Sequence, residues 1–254
     1  MLTAITRGVS PRLAECELTW LDREPINLQL AIAQHQAYEK ALERAGARVI
    51  SLPALANHPD CVFVEDPALV LDEVAVITSM GAESRRGERE SLAEELAQFR
   101  PVLRMELPGT LEGGDVMRIG RHLFAGLSHR TDQAGIEQLA RLLAPYGYDV
   151  IAVPLRNCLH LKSGCTYLGD DTVLINPDWV EPSQLGEYRF LEVAPGEPAA
   201  ANALRVKDTV LIPSAWSKTA QQLRDAGFAV QELDLSELLK AESGVTCSSL
   251  LFEA

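Results

Sequence analysis

The chain is short of positive charge, of aromatic residues and of paired cysteines. Only 23 Lys and Arg stand against 36 Asp and Glu, a formal net charge of −13, and aromatic residues make up 6%. Such an acid surplus repels a phosphate backbone, which needs a basic patch, and disfavours an anionic membrane surface. Neither nucleic acid nor membrane is expected as a partner, whereas a small cation fits the charge. Long apolar runs are missing as well. The longest uncharged stretch, Pro25 to Tyr38, contains three Gln, a His and an Asn, and it falls short of the roughly 18 residues of a spanning helix. The opening residues MLTAITRGVSPRLAEC show no basic segment followed by an apolar one, so no export signal is expected and the predicted location is cytoplasmic. Cys16, Cys61, Cys158, Cys165 and Cys247 form no CxxC pair and no even framework, which argues against structural zinc and disulfides. There is also no Walker loop and no G-x-G-x-x-G. Neither a metal nor a cofactor is expected.

What is present is repetition. With 47% hydrophobic and 23% charged residues the composition is that of a globular protein. Five times a helix-like stretch leads into a short apolar strand: ARVISLP, VLRMELP, YDVIAVP, RFLEVAP and FAVQELDL. The first four close on Pro53, Pro108, Pro154 and Pro195, a drifting period of about fifty residues. After each comes an irregular segment containing Gly and acid, then two apolar runs about a polar turn. The turns fall at Asp72-Glu73, Gly120-Arg121-His122, Gly169-Asp170-Asp171 and Lys207-Asp208. Apolar spacing of three to four residues predicts the helices, with Ser91, Thr131 and Ser217 as caps where they open and Gly46, Gly147 and Gly227 where they end. The fourth unit has only the short PSQLGEY where its helix belongs.

A unit of strand, strand, helix and strand cannot bury its apolar face alone, so five of them are expected to share a core. Stacking them as a solenoid would require capping units at both ends. Radial closure instead lets LTAITRGV pair with VTCSSLLF, supplying the missing half of the fifth hairpin. The predicted fold is a five-bladed α/β propeller, a single catalytic domain over residues 1–254 with pseudo-fivefold repeats. An ordinary doubly wound α/β sheet would show longer single apolar strands in place of paired runs about a turn.

In a propeller the post-proline segments HPDCVFVEDP, GTLEGGDV, NCLHLKSG, EPAAANAL and ESGVTC converge on the axis. This gathers Asp60, Glu65, Asp66, Glu112, Asp115, His160 and Cys247. A thiolate is a strong nucleophile whose pKa falls beside a cation. Carboxylates pair bidentately with a guanidinium, and a histidine can protonate a leaving amine and then activate water. The implied reaction is hydrolytic C–N cleavage at an amidino carbon. Singly, each residue has a plainer reading: a core cysteine, a buried histidine between two leucines, carboxylates that solvate turns. Their equivalent places in the repeat are what single them out.

PDCVFVEDP, GAESRRGE, GTLEGGD, LHLKSG and GVTCSSL resemble the bacterial dimethylarginine dimethylaminohydrolases of the guanidino-modifying (pentein) superfamily, and the resemblance runs over nearly the whole chain. It implies a five-bladed α/β propeller and hydrolysis of mono- and dimethylated arginines to citrulline and a methylamine through a covalent cysteine thiouronium. By the same resemblance Cys247 is the nucleophile, His160 the general acid and base, Glu112 the carboxylate orienting the histidine and the guanidinium, and Asp66 the one that holds the guanidinium. Arg85 and Arg130 would take the substrate carboxylate, and Asp60 with the Leu18 carbonyl the amine. Phe63, Glu65 and the Ala241 backbone would line the pocket. Residues 13–28, which break the repeat, are expected to form a lid. Cys61 is read as structural. Two alternatives stand beside this reading. A deiminase or amidinotransferase would use the same chemistry on arginine or another guanidino compound, although those families have substantially longer chains. A non-catalytic arginine-binding propeller would place no demand on Cys247 and His160 together. A second copy of the chain, in a homodimer, is the one macromolecular partner left open.

Overall fold

The structure is a computed structural model describing residues 1–254, and it holds five three-stranded sheets. The chain opens with β1 (Leu2–Arg7), α1 (Leu28–Arg44) and β2 (Arg48–Leu52). The second unit is β3 (Ala68–Val70), β4 (Ala75–Ile77), α2 (Glu90–Leu96) and β5 (Val102–Arg104). The third is β6 (Val116–Ile119), β7 (His122–Leu127), α3 (Gln133–Leu143) and β8 (Asp149–Pro154). A one-turn helix α4 (Leu161–Gly164) leads into β9 (Cys165–Gly169), β10 (Thr172–Ile175) and β11 (Arg189–Glu192). The last full unit is β12 (Leu204–Val206), β13 (Thr209–Pro213), α5 (Ser217–Asp225) and β14 (Ala229–Leu233), followed by α6 (Ser236–Leu239) and β15 (Leu250–Glu253). In each complete unit an antiparallel hairpin passes through a crossover to a parallel third strand. The fourth crossover is a single 3₁₀ turn at Pro182–Gln184, where PSQLGEY left no room for a helix.

β15 supplies the antiparallel partner that β1 lacks: Ile5 faces Leu250 and Leu2 faces Glu253, while β2 lies parallel on the other side of β1. The two ends of the chain thus complete one blade, and the fold is the five-bladed α/β propeller that the repeat predicts. Pairing is shorter than VTCSSLLF suggests, because Val245 to Ser249 stay outside the strand. At the hairpin turns Gly120, Gly169, Asp170, Asp171 and Lys207 all take positive φ, as tight hairpins require. The glycines at the helix ends behave as expected, but the caps do not. Asp132, one residue after Thr131, caps α3 by accepting from the Gly135 N–H at 2.7 Å. Ser91 and Ser217 lie inside their helices, and neither helix has a side-chain cap. The Thr131 hydroxyl is committed to Asp115 and that of Ser91 to Arg7.

The expectation of one shared core is also corrected. Buried apolar side chains collect in five seams, each between neighbouring blades. Ile5, Leu250 and Phe252 of the closing blade, for example, meet Val64, Ala75 and Ile77 of the next. Every small sheet has a neighbour on both faces, so most of its apolar area is buried in the seams, and the polar groups collect where the lead-ins meet at one end of the axis. Along the axis runs a cavity of about 270 Å³, lined by the inner strands β3, β6, β9, β12 and β15. No helix is long and apolar enough to cross a membrane.

Ring closure is testable at Phe252, whose ring meets Phe99 edge-on at 5.3 Å and lies 5.0 Å from the Arg100 guanidinium. Phe252→Ala should lower the unfolding free energy by about 3–5 kcal/mol in urea denaturation. A loss under about 1 kcal/mol, the size of an ordinary surface change, would mean that the closing seam contributes little.

Candidate active site

Each inner strand is preceded by an irregular lead-in, and the five lead-ins meet at one end of the axis. They bring Asp66, Glu112, His160, Asn202 and Cys247 from five stretches of sequence. The approach is close enough to require glycine: a Cβ on Gly113 would lie 2.0 Å from the Glu65 carbonyl oxygen, and one on Gly114 would lie 2.6 Å from His160 Nδ1 and 2.7 Å from Asp66 Oδ1.

His160 is buried among acids. Its Nε2 is 3.0 Å from Glu112 Oε2, and its Nδ1 is 3.8 Å from Asp66 Oδ1. Burial by itself would disfavour the imidazolium, but Asp66, Asp115 and Glu112 outweigh it and push the histidine up to about 9. Burial likewise pushes Glu112 up, yet the hydrogen bond and charge of His160 prevail and hold its carboxyl well below the usual carboxylate range. Asp115 braces this pair from below. It accepts from the Leu161 N–H at 2.9 Å, the Thr131 hydroxyl at 2.6 Å and the Ser128 hydroxyl at 2.7 Å, and burial raises it to about 6.

Cys247 is half-buried, and its Sγ accepts from the Gly244 N–H at 3.2 Å. Burial, with Glu65 and Asp66 adding to it, pushes the thiol up to about 12. At neutral pH the site therefore holds an imidazolium and a neutral thiol. The sequence places the histidine pKa near working pH, and three surrounding carboxylates move it higher.

Asp60, Phe63, Asp66, Arg85, Arg130, His160, Ala241 and Cys247 all line one cavity of about 20 Å³. Glu112 sits behind it, fully buried. Leu18 does not line it and packs against the seam beside α1. The adjoining Glu17 N–H donates to both Asp60 oxygens, at 3.1 and 3.2 Å. Burial raises Asp60 to about 6 against the pull of Arg85. Glu65 also faces elsewhere, toward Lys162 at 2.6 Å and Thr246 at 2.8 Å. Arg85 is fully engaged inside the protein, donating to Asp66 Oδ2 at 2.6 Å, the Phe63 carbonyl at 3.0 Å and Glu88 at 2.9 Å. A buried guanidinium cannot leave its donors unpaired. Arg130 is looser, 3.5 Å from Glu112 Oε1 and 3.3 Å from the Thr19 hydroxyl.

Within residues 13–28 the backbone N–H groups of Thr19, Trp20 and Leu21 all donate to the Glu242 carboxylate. Cys61 lies outside the cavity, its Sγ accepting from the Leu55 N–H at 3.2 Å. Asp66, Glu112 and His160 present ligand atoms within 4.8 Å of one another, but a cation there would have to displace the imidazolium proton. Sequence reasoning passed over Asn202, Lys162 and Glu242. Asn202 had a signal in its place in the fourth lead-in, equivalent to the other four, although an amide does not titrate. Glu242, at φ 55°, had none.

A propeller whose axis gathers a thiol, an imidazolium and carboxylates defines the guanidino-modifying class of enzymes. The family model described as N,N dimethylarginine dimethylhydrolase, eukaryotic, matches residues 16–185. The chain belongs to the dimethylarginine dimethylaminohydrolase family. It is 38% identical over 224 residues to the N(G),N(G)-dimethylarginine dimethylaminohydrolase of Pseudomonas aeruginosa, covering 87% of this chain and 88% of the relative. Identity to the protein of the same name from Streptomyces coelicolor is 40% over 248 residues, covering 97% and 95%. The fold superposes on a solved cysteine-to-serine mutant of the Pseudomonas aeruginosa enzyme, complexed with citrulline, with a TM-score of 0.95 at 36% identity over 99% of this chain and 100% of that one.

The raised histidine has a measurable consequence for stability. Between about 6.5, the value for an unfolded histidine, and about 9 the native state keeps a proton that the unfolded chain has released. Unfolding free energy should therefore fall as pH rises through that window. Urea denaturation across the range should show the fall in the parent and lose it in His160→Gln; a flat parental profile would count against an imidazolium.

Proposed function

We propose that the protein hydrolyses mono- and dimethylated arginines to citrulline and a methylamine, with Cys247 as the nucleophile. The observation that carries this reading is the convergence of Cys247, His160 and Asp66 on one cavity, with Glu112 Oε2 3.0 Å from His160 Nε2 behind it, in a chain whose relatives over nearly its full length bear that activity in their name.

The free thiol keeps its proton because burial and two carboxylates oppose a second negative charge. A bound guanidinium supplies the missing positive charge, so the thiol loses its proton to solvent only when substrate is present. The thiolate attacks the amidino carbon and a C–S bond forms. Glu112 engages Nε2 of His160 and leaves Nδ1 without a hydrogen bond, so Nδ1 donates to the methylated nitrogen as the C–N bond breaks. The neutral imidazole then takes a proton from water attacking the thiouronium carbon. The C–S bond breaks, citrulline is released and Cys247 departs as thiolate.

Asp66 and Glu112 hold the guanidinium. Asp66 already carries one, that of Arg85, so substrate binding exchanges an internal guanidinium for an external one and turns Arg85, with Arg130, toward the substrate carboxylate. Asp60 and the Leu18 carbonyl receive the amine, and Phe63 and the Ala241 backbone flank the substrate. A cavity of about 20 Å³ has room for about one water, so the chain must open to admit an amino acid. Residues 13–28 are the lid, latched by Glu242. Five seams that join every blade to its neighbours, and a site drawn from all five lead-ins, support reading residues 1–254 as one catalytic domain.

Cys247→Ser should abolish citrulline formation from Nω,Nω-dimethylarginine while the circular dichroism spectrum is retained. His160→Ala should accumulate a covalent adduct, visible by mass spectrometry, because attack is allowed and departure of the amine is not. Turnover that survives Cys247→Ser would remove the nucleophile, and faster turnover of unmethylated arginine would make the protein a deiminase.

A further inference from the structure

Beside both reacting side chains lies a ring of polar contacts that the chemistry above does not use. Lys162, two residues after His160, places its Nζ 2.6 Å from Glu65 Oε1. Glu65 Oε2 accepts from the hydroxyl of Thr246, one residue before Cys247, at 2.8 Å. Asn202 closes the ring: its Nδ2 donates to the Lys162 carbonyl at 2.9 Å and to Thr246 Oγ1 at 3.0 Å, and its Oδ1 accepts from the Thr246 N–H at 3.0 Å. Four lead-ins from four blades are joined in this way. The Glu65 N–H also donates to the Cys247 carbonyl at 3.1 Å. Gly244, whose N–H is the thiol's own donor, lies so near Asn202 that a Cβ would come within 2.2 Å of Oδ1.

We propose that Lys162, Glu65, Thr246 and Asn202 form a charge-balanced clamp that positions Cys247 and sets how readily its thiol gives up a proton. The proposal rests on the reading of Cys247 as the nucleophile. Glu65 is a buried carboxylate of the same sign as a thiolate, and without a counter-charge it would oppose thiolate formation. Lys162 is that counter-charge. The ion pair is nearly buried, with side chains 16% and 9% exposed, and Glu65, Lys162 and Thr246 line the axial cavity, on the side away from the substrate. The other charged groups around Cys247 are Asp66 and His160, with Glu17, Asp60, Arg85, Arg130 and Glu242 about the catalytic cavity. Of all these, Glu65 and Lys162 alone can be changed without altering the cavity wall that meets substrate. The four clamp residues are positioning residues.

The test is the rate at which iodoacetamide alkylates Cys247 in the free protein at neutral pH, read by peptide mapping so that Cys16, Cys61, Cys158 and Cys165 are counted apart. Lys162→Met should slow alkylation about three- to tenfold and Glu65→Gln should speed it by a similar factor. The double variant should return close to the parental rate, as should Lys162→Arg. Looser packing alone would move both single variants in the same direction, by exposing the thiol. Thermal melts identify any variant that fails to fold, and if Lys162→Met is such a case Lys162→Gln takes its place with the same slowing expected, because exposure of the thiol could only speed alkylation. Unchanged rates in folded variants, or shifts of one sign in both singles, would overturn the clamp. Alkylation needs no turnover, so a failure to produce citrulline from methylarginines leaves this result standing.

Discussion

Carboxylates buried at one end of the propeller axis constrain everything around them. A buried charge without a partner costs several kcal/mol, so Asp66, Glu112 and Glu65 each need a cation within reach. His160 answers Glu112, Arg85 answers Asp66 and Lys162 answers Glu65. Asp115 is satisfied by three donors instead. Burial, with Glu65 and Asp66 adding to it, disfavours the Cys247 thiolate. In the proposed reaction the site at rest is a balanced set of charges with a silent nucleophile, and an added cation disturbs the balance in the direction of reaction.

That balance depends on how the fold divides polar from apolar. Each blade buries most of its apolar residues against the blades on either side, and the axis holds a cavity of about 270 Å³ in place of a packed core. The lead-ins can therefore place polar groups from five distant stretches within hydrogen-bond range, and Gly113 and Gly114 permit the final approach. Ring closure through β1 and β15 matters to the chemistry as well, since Cys247 is carried on the lead-in to β15.

The architecture was legible because it repeats: hairpin turns, parallel third strands and the exchange between chain ends follow from a pattern sampled five times. The convergence of Asp66, Glu112, His160 and Cys247 followed from the same pattern. Details that depend on non-local partners were not legible. Thr131 reads as a helix cap until Asp115 takes its hydroxyl. Glu65 and Asp66 are adjacent in sequence, yet their carboxylates face opposite sides of the clamp, one toward Lys162 and one toward His160 and Arg85. The resemblance assigns Arg85 to the substrate carboxylate, but the structure engages it internally with Asp66, Glu88 and the Phe63 carbonyl. Glu242 and Asn202 acquire meaning only from what the fold brings to them, three backbone N–H groups of the 13–28 segment in one case and Thr246 in the other.

The central claim is that positive charge delivered by the ligand, and not the resting protein, releases the nucleophile. The most direct measurement is the thiolate ultraviolet absorbance at neutral pH, with and without an unreactive guanidinium ligand, using Cys247→Ser as the blank. No thiolate signal in the free protein and its appearance on ligand binding is the predicted result. A full thiolate signal before any ligand is added would contradict the account.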